Sequence, residues 1–272
     1  MSSAGPEPAL RHVLVAFDLS AHSLAALEAA ASLAARTGGE IAGLFVEDEA
    51  FLRLADLPVA RFLDARSAAV RPHDVATMER ELRRLAEGAR RAIEEAAKRA
   101  RVRWTFRVVR GPVSPAVLAE ASGADLVALG RTGHEGHPGR RLGSTARALV
   151  ASAHAPVLLL RRGEKVAPPL LVAYDGSDVG DRTLDLAVRL AGRDPVGVLL
   201  VAEDRDDVTL RRRAEGRLAP HGIDARFRVV SARDLAGVVR GEHGGLLLLP
   251  SAHGSPLVDH IDEIPCPVLL VR

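Results

Sequence analysis

Hydrophobic and polar positions follow two alternating periods along the chain. Short unbroken apolar runs, "HVLVAF" (12–17), "EIAGLFVED" (40–48), "ADLVALG" (124–130) and "PVLLLR" (156–161), have the length and aliphatic content of buried strands. "RWTFRVV" (103–109) reads as a further strand. Between the first two runs lies "HSLAALEAAASLAART", an alanine-rich helix stopped by Gly38-Gly39. In segment 77–101, Met78, Leu82, Leu85, Ala89, Ala92, Ala96 and Ala100 recur three or four apart, which predicts an amphipathic helix with a charged outer face. Strands separated by helices imply an open parallel sheet covered on both faces.

The pattern then repeats. "VLVAFDLS" (13–20) returns as "LLVAYDGS" (170–177), with five of eight positions identical, and "FRVV" at 106–109 returns at 227–230. "DLVALG" (125–130) pairs with "GLLLLP" (245–250), and "APVLLLRR" (155–162) with "CPVLLVR" (266–272). "GEKVAPP" (163–169) is a polar, proline-rich joint of the kind found between domains. Two α/β domains of one ancestry are expected, residues 1–162 and 169–272. The offset between the copies falls from 157 at the first strand to 120 at the fourth and 111 at the last. The second copy has therefore lost most of the segment between its second and third strands, and nine residues after its fourth.

Composition narrows the class. The chain is 272 residues long, 47% hydrophobic but only 3% aromatic, with a formal charge of +2, so the basic footprint of a nucleic-acid binder is missing. A lone cysteine, Cys266, excludes an intramolecular disulfide and suits a reducing compartment; between two prolines at the start of the last strand, it reads as a core residue. No apolar run approaches the ~20 residues of a membrane helix. A soluble, cytoplasmic protein is expected, acting neither on nucleic acid nor at a membrane.

The nine residues lost from the second copy belong to "GRTGHEGHPGRRLGST" (130–145), which follows the fourth strand and opens a helix. In open parallel sheets ligands sit beyond the carboxyl ends of the strands. Glycines there let backbone N–H groups converge, and a helix N-terminus favours an anion. The loop points to the phosphate chain of a nucleotide, with a solvated surface loop as the alternative. Ser144 could cap the following helix or donate to a phosphate. Neither GxxxxGK[ST] nor a GxGxxG after the first strand is present. His134 and His137, with no cysteine or carboxylate pair nearby, do not form a zinc signature.

Gly130-x2-Gly133-x9-Gly143-Ser144, together with Asp18-x-Ser20 after strand one, Glu47-Asp48 closing strand two and the Pro-Val-Leu-Leu-Leu last strand, resembles the universal stress protein family. The resemblance covers 11–162 well and 169–272 in degenerate form. It implies a tandem of Rossmann-like domains packed as a pseudo-dimer through their last strands, with further homodimerisation left open. It also implies ATP, with or without Mg, as the ligand of the first domain. On the matched positions, Asp18 would face the ribose or a metal ion, and Val46 would offer backbone bonds to adenine. Ala16 stands where many members have proline, and Leu129, Gly130, Gly133, Gly143, Ser144 and Thr145 would line ribose and phosphates. Arg131, Arg140 and Arg141 could reach the phosphates, and Asp18 and Ser20 compete as cap of the first helix. The resulting expectation is a nucleotide-binding stress or regulatory protein whose second domain binds nothing. A slow ATPase or other nucleotide-dependent enzyme, and a module for another ligand, are the alternatives. Segment 49–76 is extra material: a lid, a partner-binding flap or a packed helical excursion.

Overall fold

A computed structural model describes residues 10–50, 61–63, 70–72, 75–133, 142–202, 207–242, 245–252 and 256–272. The first copy contributes β1 (His12–Ala16), α1 (Ala21–Thr37), β2 (Glu40–Asp48), a short antiparallel pair β3 (Arg61–Leu63) and β4 (Val70–Pro72), α2 (Val75–Ala100), β5 (Arg103–Gly111), α3 (Val113–Ala121), β6 (Leu126–Gly130), α4 (Ser144–Ser152) and β7 (Val157–Leu160). The second contributes β8 (Leu170–Tyr174), α5 (Asp178–Ala191), β9 (Val196–Val201), α6 (Asp207–Leu218), a 3-10 turn (Ala219–His221), β10 (Ala225–Val230), α7 (Leu235–Gly241), β11 (Leu246–Pro250), α8 (Pro256–Asp259), a second 3-10 turn (Ile261–Glu263) and β12 (Val268–Val271).

Ten strands form one sheet in the order β10-β9-β8-β11-β12-β7-β6-β1-β2-β5. Every neighbouring pair is parallel except β12 with β7, which run antiparallel with Leu269 opposite Leu158. The two halves thus meet through their last strands, as a pseudo-dimer built in one chain. The repeat survives in single backbone bonds. Asp125 N–H donates to His12 O (2.9 Å) as Gly245 N–H does to Pro169 O (3.1 Å), and Arg131 N–H to Leu160 O (2.7 Å) as Ser251 N–H does to Val271 O (2.7 Å).

The core lies in two apolar layers. One holds the inward residues of α1, α2, α5 and α6 against the sheet, including Leu27, Ile93, Leu184 and Leu210; the other holds those of α3, α4, α7 and the 256–264 region, including Val117, Leu149, Leu235 and Ile261. Alanine at 26, 29, 30, 31 and 34 lets α1 lie close to the strands, all five being buried. That helix ends at Gly38, whose φ of 72° is the left-handed geometry a helix stop demands. In α2, Leu82, Ala89 and Ala96 are buried as their spacing predicts, while its outer face carries ion pairs such as Lys98–Glu94 (2.7 Å).

Of segment 49–76, residues 61–63 and 70–72 form the β3–β4 ladder and residues 49–50 are helical; the remainder up to residue 74 lies outside the described residues. Residues 134–141, with His134, His137, Arg140 and Arg141, lie outside the described residues.

Candidate functional site

The strand order decides where a ligand can enter. The chain proceeds from β1 outward to β2 and β5, then returns to lay β6 and β7 on the other side of β1. The connections after β1 and after β6 therefore leave in opposite directions, and a crevice opens between them at the carboxyl ends. Asp18 follows β1 and Gly130–Gly133 close β6, so the topology brings together the two motifs read from the sequence.

Asp18 is exposed, and its Oδ1 accepts the Ser20 N–H (2.9 Å). A Cβ on Gly133 would lie 3.2 Å from its Oδ2, so carboxylate and glycine face each other across the crevice. Ser20, not Asp18, caps α1, accepting the Ser23 N–H at 3.1 Å. Asp18 is thus left at the mouth. Gly143 N–H donates to Arg131 O (2.7 Å), which closes the base of the loop on itself.

Around this base, Ala16 and Val46 are half-buried and Leu129 is buried, all three packed in the layer under α3 and α4. Gly143 is the N-cap of α4 and makes no side-chain cap bond. Ser144 is exposed as the first helical residue, one position too late to cap; that expectation is corrected. Thr145 Oγ1 accepts from the Ser114 hydroxyl (3.2 Å), tying α4 to α3.

Two further expectations change. Arg131 does not reach towards phosphates. It is 1% exposed, and its guanidinium donates to the carbonyls of Ile261 (2.9 Å), Ile264 (3.2 Å) and Cys266 (2.6 Å) in the second half. The β7–β12 seam brings those carbonyls beneath the loop, and three ready acceptors outcompete solvent for a planar five-donor group. Gly130, expected to let a ligand approach the backbone, serves packing. A Cβ there would meet His22 Cβ at 2.6 Å and Ser23 N at 2.9 Å, so its lack of a side chain is what seats α1 on β6.

His22 itself was missed. It lies four residues after Asp18, in the first turn of α1, a position with no motif to mark it. Its Nδ1 accepts the Arg162 N–H (3.1 Å), and burial lowers its pKa against the opposing charges of Asp18 and Glu164. It therefore joins the crevice wall to the inter-half joint.

In the second half the same crevice is altered. Asp175 Oδ1 accepts both the Ser177 N–H (3.0 Å) and the Ser177 hydroxyl (2.6 Å), and Ser177 caps α5. Pro250, buried, stands where Gly130 does and cannot donate. The 261–264 carbonyls, which could have bordered a pocket, hold arginines from the first half. Among the described residues no group of three histidine, cysteine or acidic side chains could hold a metal ion, and no helix is long and apolar enough to cross a membrane.

The Usp model, described as "Universal stress protein family", matches residues 9–161, more than half of the chain. Universal stress protein Rv2624c of Mycobacterium tuberculosis is 28% identical over 224 residues, covering 73% of this chain and 78% of that protein. Rv2623 of the same organism is 30% identical over 117 residues, 41% of this chain and 39% of that one. In three dimensions the chain is similar to a universal stress protein from Archaeoglobus fulgidus, with a TM-score of 0.72 and 18% identity over 95% of this chain and 97% of the other, a likeness of fold. A sheet order with its switch point at the glycine-rich loop, a second copy joined at the last strand, and a family match spanning that loop converge: the chain belongs to the universal stress protein family.

Proposed function

We propose that this chain is an ATP-binding regulatory protein of the cytoplasm, with residues 1–162 forming the domain that holds the nucleotide and 169–272 a domain that completes the paired sheet and binds none. The observation that carries the reading is the placement of Gly130-x2-Gly133-x9-Gly143 at the switch point of the first half, facing Asp18. A phosphate chain needs converging N–H groups with no side chain before them and the positive end of a helix; Gly133 and the first N–H groups of α4 would supply both, with Gly143 leaving the approach free of a side chain. Asp18 would take the ribose hydroxyls or a Mg ion carried by the phosphates. Val46 would border the adenine, and Ser144 and Thr145 the phosphates. The nucleotide is read here as a regulatory ligand, with slow hydrolysis as the alternative that phosphate release would reveal.

One site per chain is expected. The second crevice has a proline for the first loop glycine, its aspartate drawn back onto Ser177, and nine fewer residues after the fourth strand. Calorimetric titration of nucleotide-free protein should saturate near one ATP per chain, and a reproducible value of two would overturn the assignment. Gly143→Val is the informative variant. Its Cβ meets Arg131 O at 3.5 Å and Thr132 Cα at 3.6 Å, ordinary contacts, so the fold should lose at most about 1 kcal/mol while phosphate approach is blocked. Unchanged ATP affinity in the folded variant would place the nucleotide elsewhere. Phosphate release measured in the same samples separates binding from hydrolysis.

A further inference from the structure

Arginines cross the junction between the halves in a revealing pattern. Arg161, just after β7, donates to the carbonyls of Asp262 (2.5 Å) and Ile264 (2.7 Å), which end the last helical turn of the second half. Arg272, just after β12, donates to those of Val150 (2.5 Å) and Ala151 (2.6 Å), which end α4 of the first. The two are repeat-equivalent, and each reaches across the antiparallel seam to do the same job. They account for the generic pairing of the halves.

Arg131 breaks that symmetry. Its equivalent is Ser251, buried but too short to cross the seam. Among the described residues, Arg131 alone ties the glycine-rich loop, as distinct from the sheet, to the second half by hydrogen bonds. Its N–H is fixed to Leu160 O and its C=O receives Gly143 N–H, so its backbone is the closing link of the loop. Its guanidinium is held by three carbonyls of 261–266, and its Nε is buried with no hydrogen-bond partner among the described residues. Burial lowers the pKa only to about 10, so the group stays charged near neutrality. A buried cation held by neutral carbonyls is costly to displace, because each orphaned carbonyl and the unsolvated charge would oppose the move. The planar fork also fixes one orientation relative to its acceptors. Backbone and side chain of this residue therefore move together or not at all.

We infer that Arg131 is a positioning residue that couples occupancy of the loop to segment 261–266, so that the second half reads the nucleotide state of the first. The inference rests on the nucleotide reading above. A ligand gathering the N–H groups at 132–133 and 144–145, on either side of the Gly143–Arg131 bond, stiffens the link at Arg131, and the guanidinium passes that restraint to the carbonyls of Ile261, Ile264 and Cys266. The same coupling must run backwards: whatever loosens 261–266 weakens the grip on ATP by the same factor.

The test is hydrogen exchange on the full-length protein with and without saturating ATP, with calorimetry on the same preparation. Exchange in 256–266 should slow by about threefold or more together with that of 130–133 and 142–147, because local opening of the two is linked. Arg131→Met should still bind ATP, within about tenfold of the parent, yet leave exchange at 256–266 indifferent to it. Arg131→Lys, with a point charge in place of the fork, should fall between the two. A purely structural role would raise exchange at 256–266 in both variants without abolishing its response to ATP, which would overturn the inference. So would a wild-type protein that binds ATP with protection confined to the loop, and this comparison holds even if Arg131→Met does not fold. A wild-type protein that binds no ATP overturns the nucleotide reading and the coupling together.

Discussion

At the scale of single residues, two of the loop glycines that look alike in the sequence do different work. Gly130 sits under α1 with His22 and Ser23 against it, whereas the space around Gly143 would admit a methyl group. Gly130→Ala should therefore lower stability by roughly 1–3 kcal/mol, the cost of forcing a methyl into a packed contact, and Gly143→Ala by well under that. Thermal unfolding of the two variants side by side checks the order; equal losses would mean that α1 shifts freely on β6. A second residue-scale feature lies in the other half. Tyr174, the equivalent of Phe17, is fully buried, and its hydroxyl donates to Asp181 Oδ1 (2.8 Å); Arg213 donates to Oδ2 of the same carboxylate and Arg217 makes an ion pair with it (3.5 Å). Burial pushes the Asp181 pKa up, but the hydrogen bonds from Arg213 and Tyr174 and the Arg217 charge outweigh it and leave it lowered. A carboxylate with a lowered folded-state pKa contributes stability that is full above its unfolded value of ~3.9 and lost as pH falls through the folded one. Urea unfolding should thus show a loss between pH 4 and lower values that is shallower in Asp181→Asn; identical slopes would assign the acid sensitivity to other groups.

Elements were legible wherever their cause is local. Unbroken apolar runs mark β1, β2, β6 and β7, the three-to-four spacing marks α2, and Gly38 marks the end of α1 because its left-handed backbone is a geometry glycine adopts readily. Of the loop glycines the sequence showed the residue type but not the cause, since at Gly130 the missing side chain makes room for His22 and Ser23 of α1. What the sequence could not show depends on distant chain returning. Arg131 sits among glycines like any exposed loop arginine, and nothing within ten residues reveals that the carbonyls of 261–266 come to lie beneath it. His22 becomes part of the crevice only because β6 is laid beside β1 and Arg162 follows β7. The cap of α1 was ambiguous between Asp18 and Ser20 because both can accept a helix N–H. The fold resolves it by starting the helix at Ala21, which leaves Asp18 two residues outside. Capping by Ser20 therefore leaves the ligand contact proposed for Asp18 a separate job, two positions earlier.

For the whole molecule, the contrast between its edges explains why the repeat is fused. The outer strands β5 and β10 leave Val108 and Val229 about half exposed, but arginines at 103, 107 and 110, and at 226 and 228, make those edges poor templates for further pairing. The inner edge has no such guard: Val157, Leu158, Leu159 and Leu160 are all buried, and β12 completes the ladder that β7 leaves open. Residues 1–164 expressed alone would expose that apolar edge, and would also strip Arg131 and Arg161 of the carbonyls they hold, leaving two guanidinium groups to be resolvated at the base of the loop. Two copies can restore the strand pairing by meeting across β7, and the carbonyls of Val150 and Ala151, which Arg272 holds in the full chain, can stand in for Ile261 and Asp262, but the 261–266 segment that Arg131 fits belongs to the second half. The truncated protein should therefore self-associate in sedimentation equilibrium at micromolar concentration, and even as a dimer should bind ATP more weakly than the full chain, because the loop has lost its outside anchor. A stable monomer at high concentration would show that the seam is not what keeps the first half in solution. A dimer with full-strength ATP binding would show that the second half pairs with the site without helping to hold it.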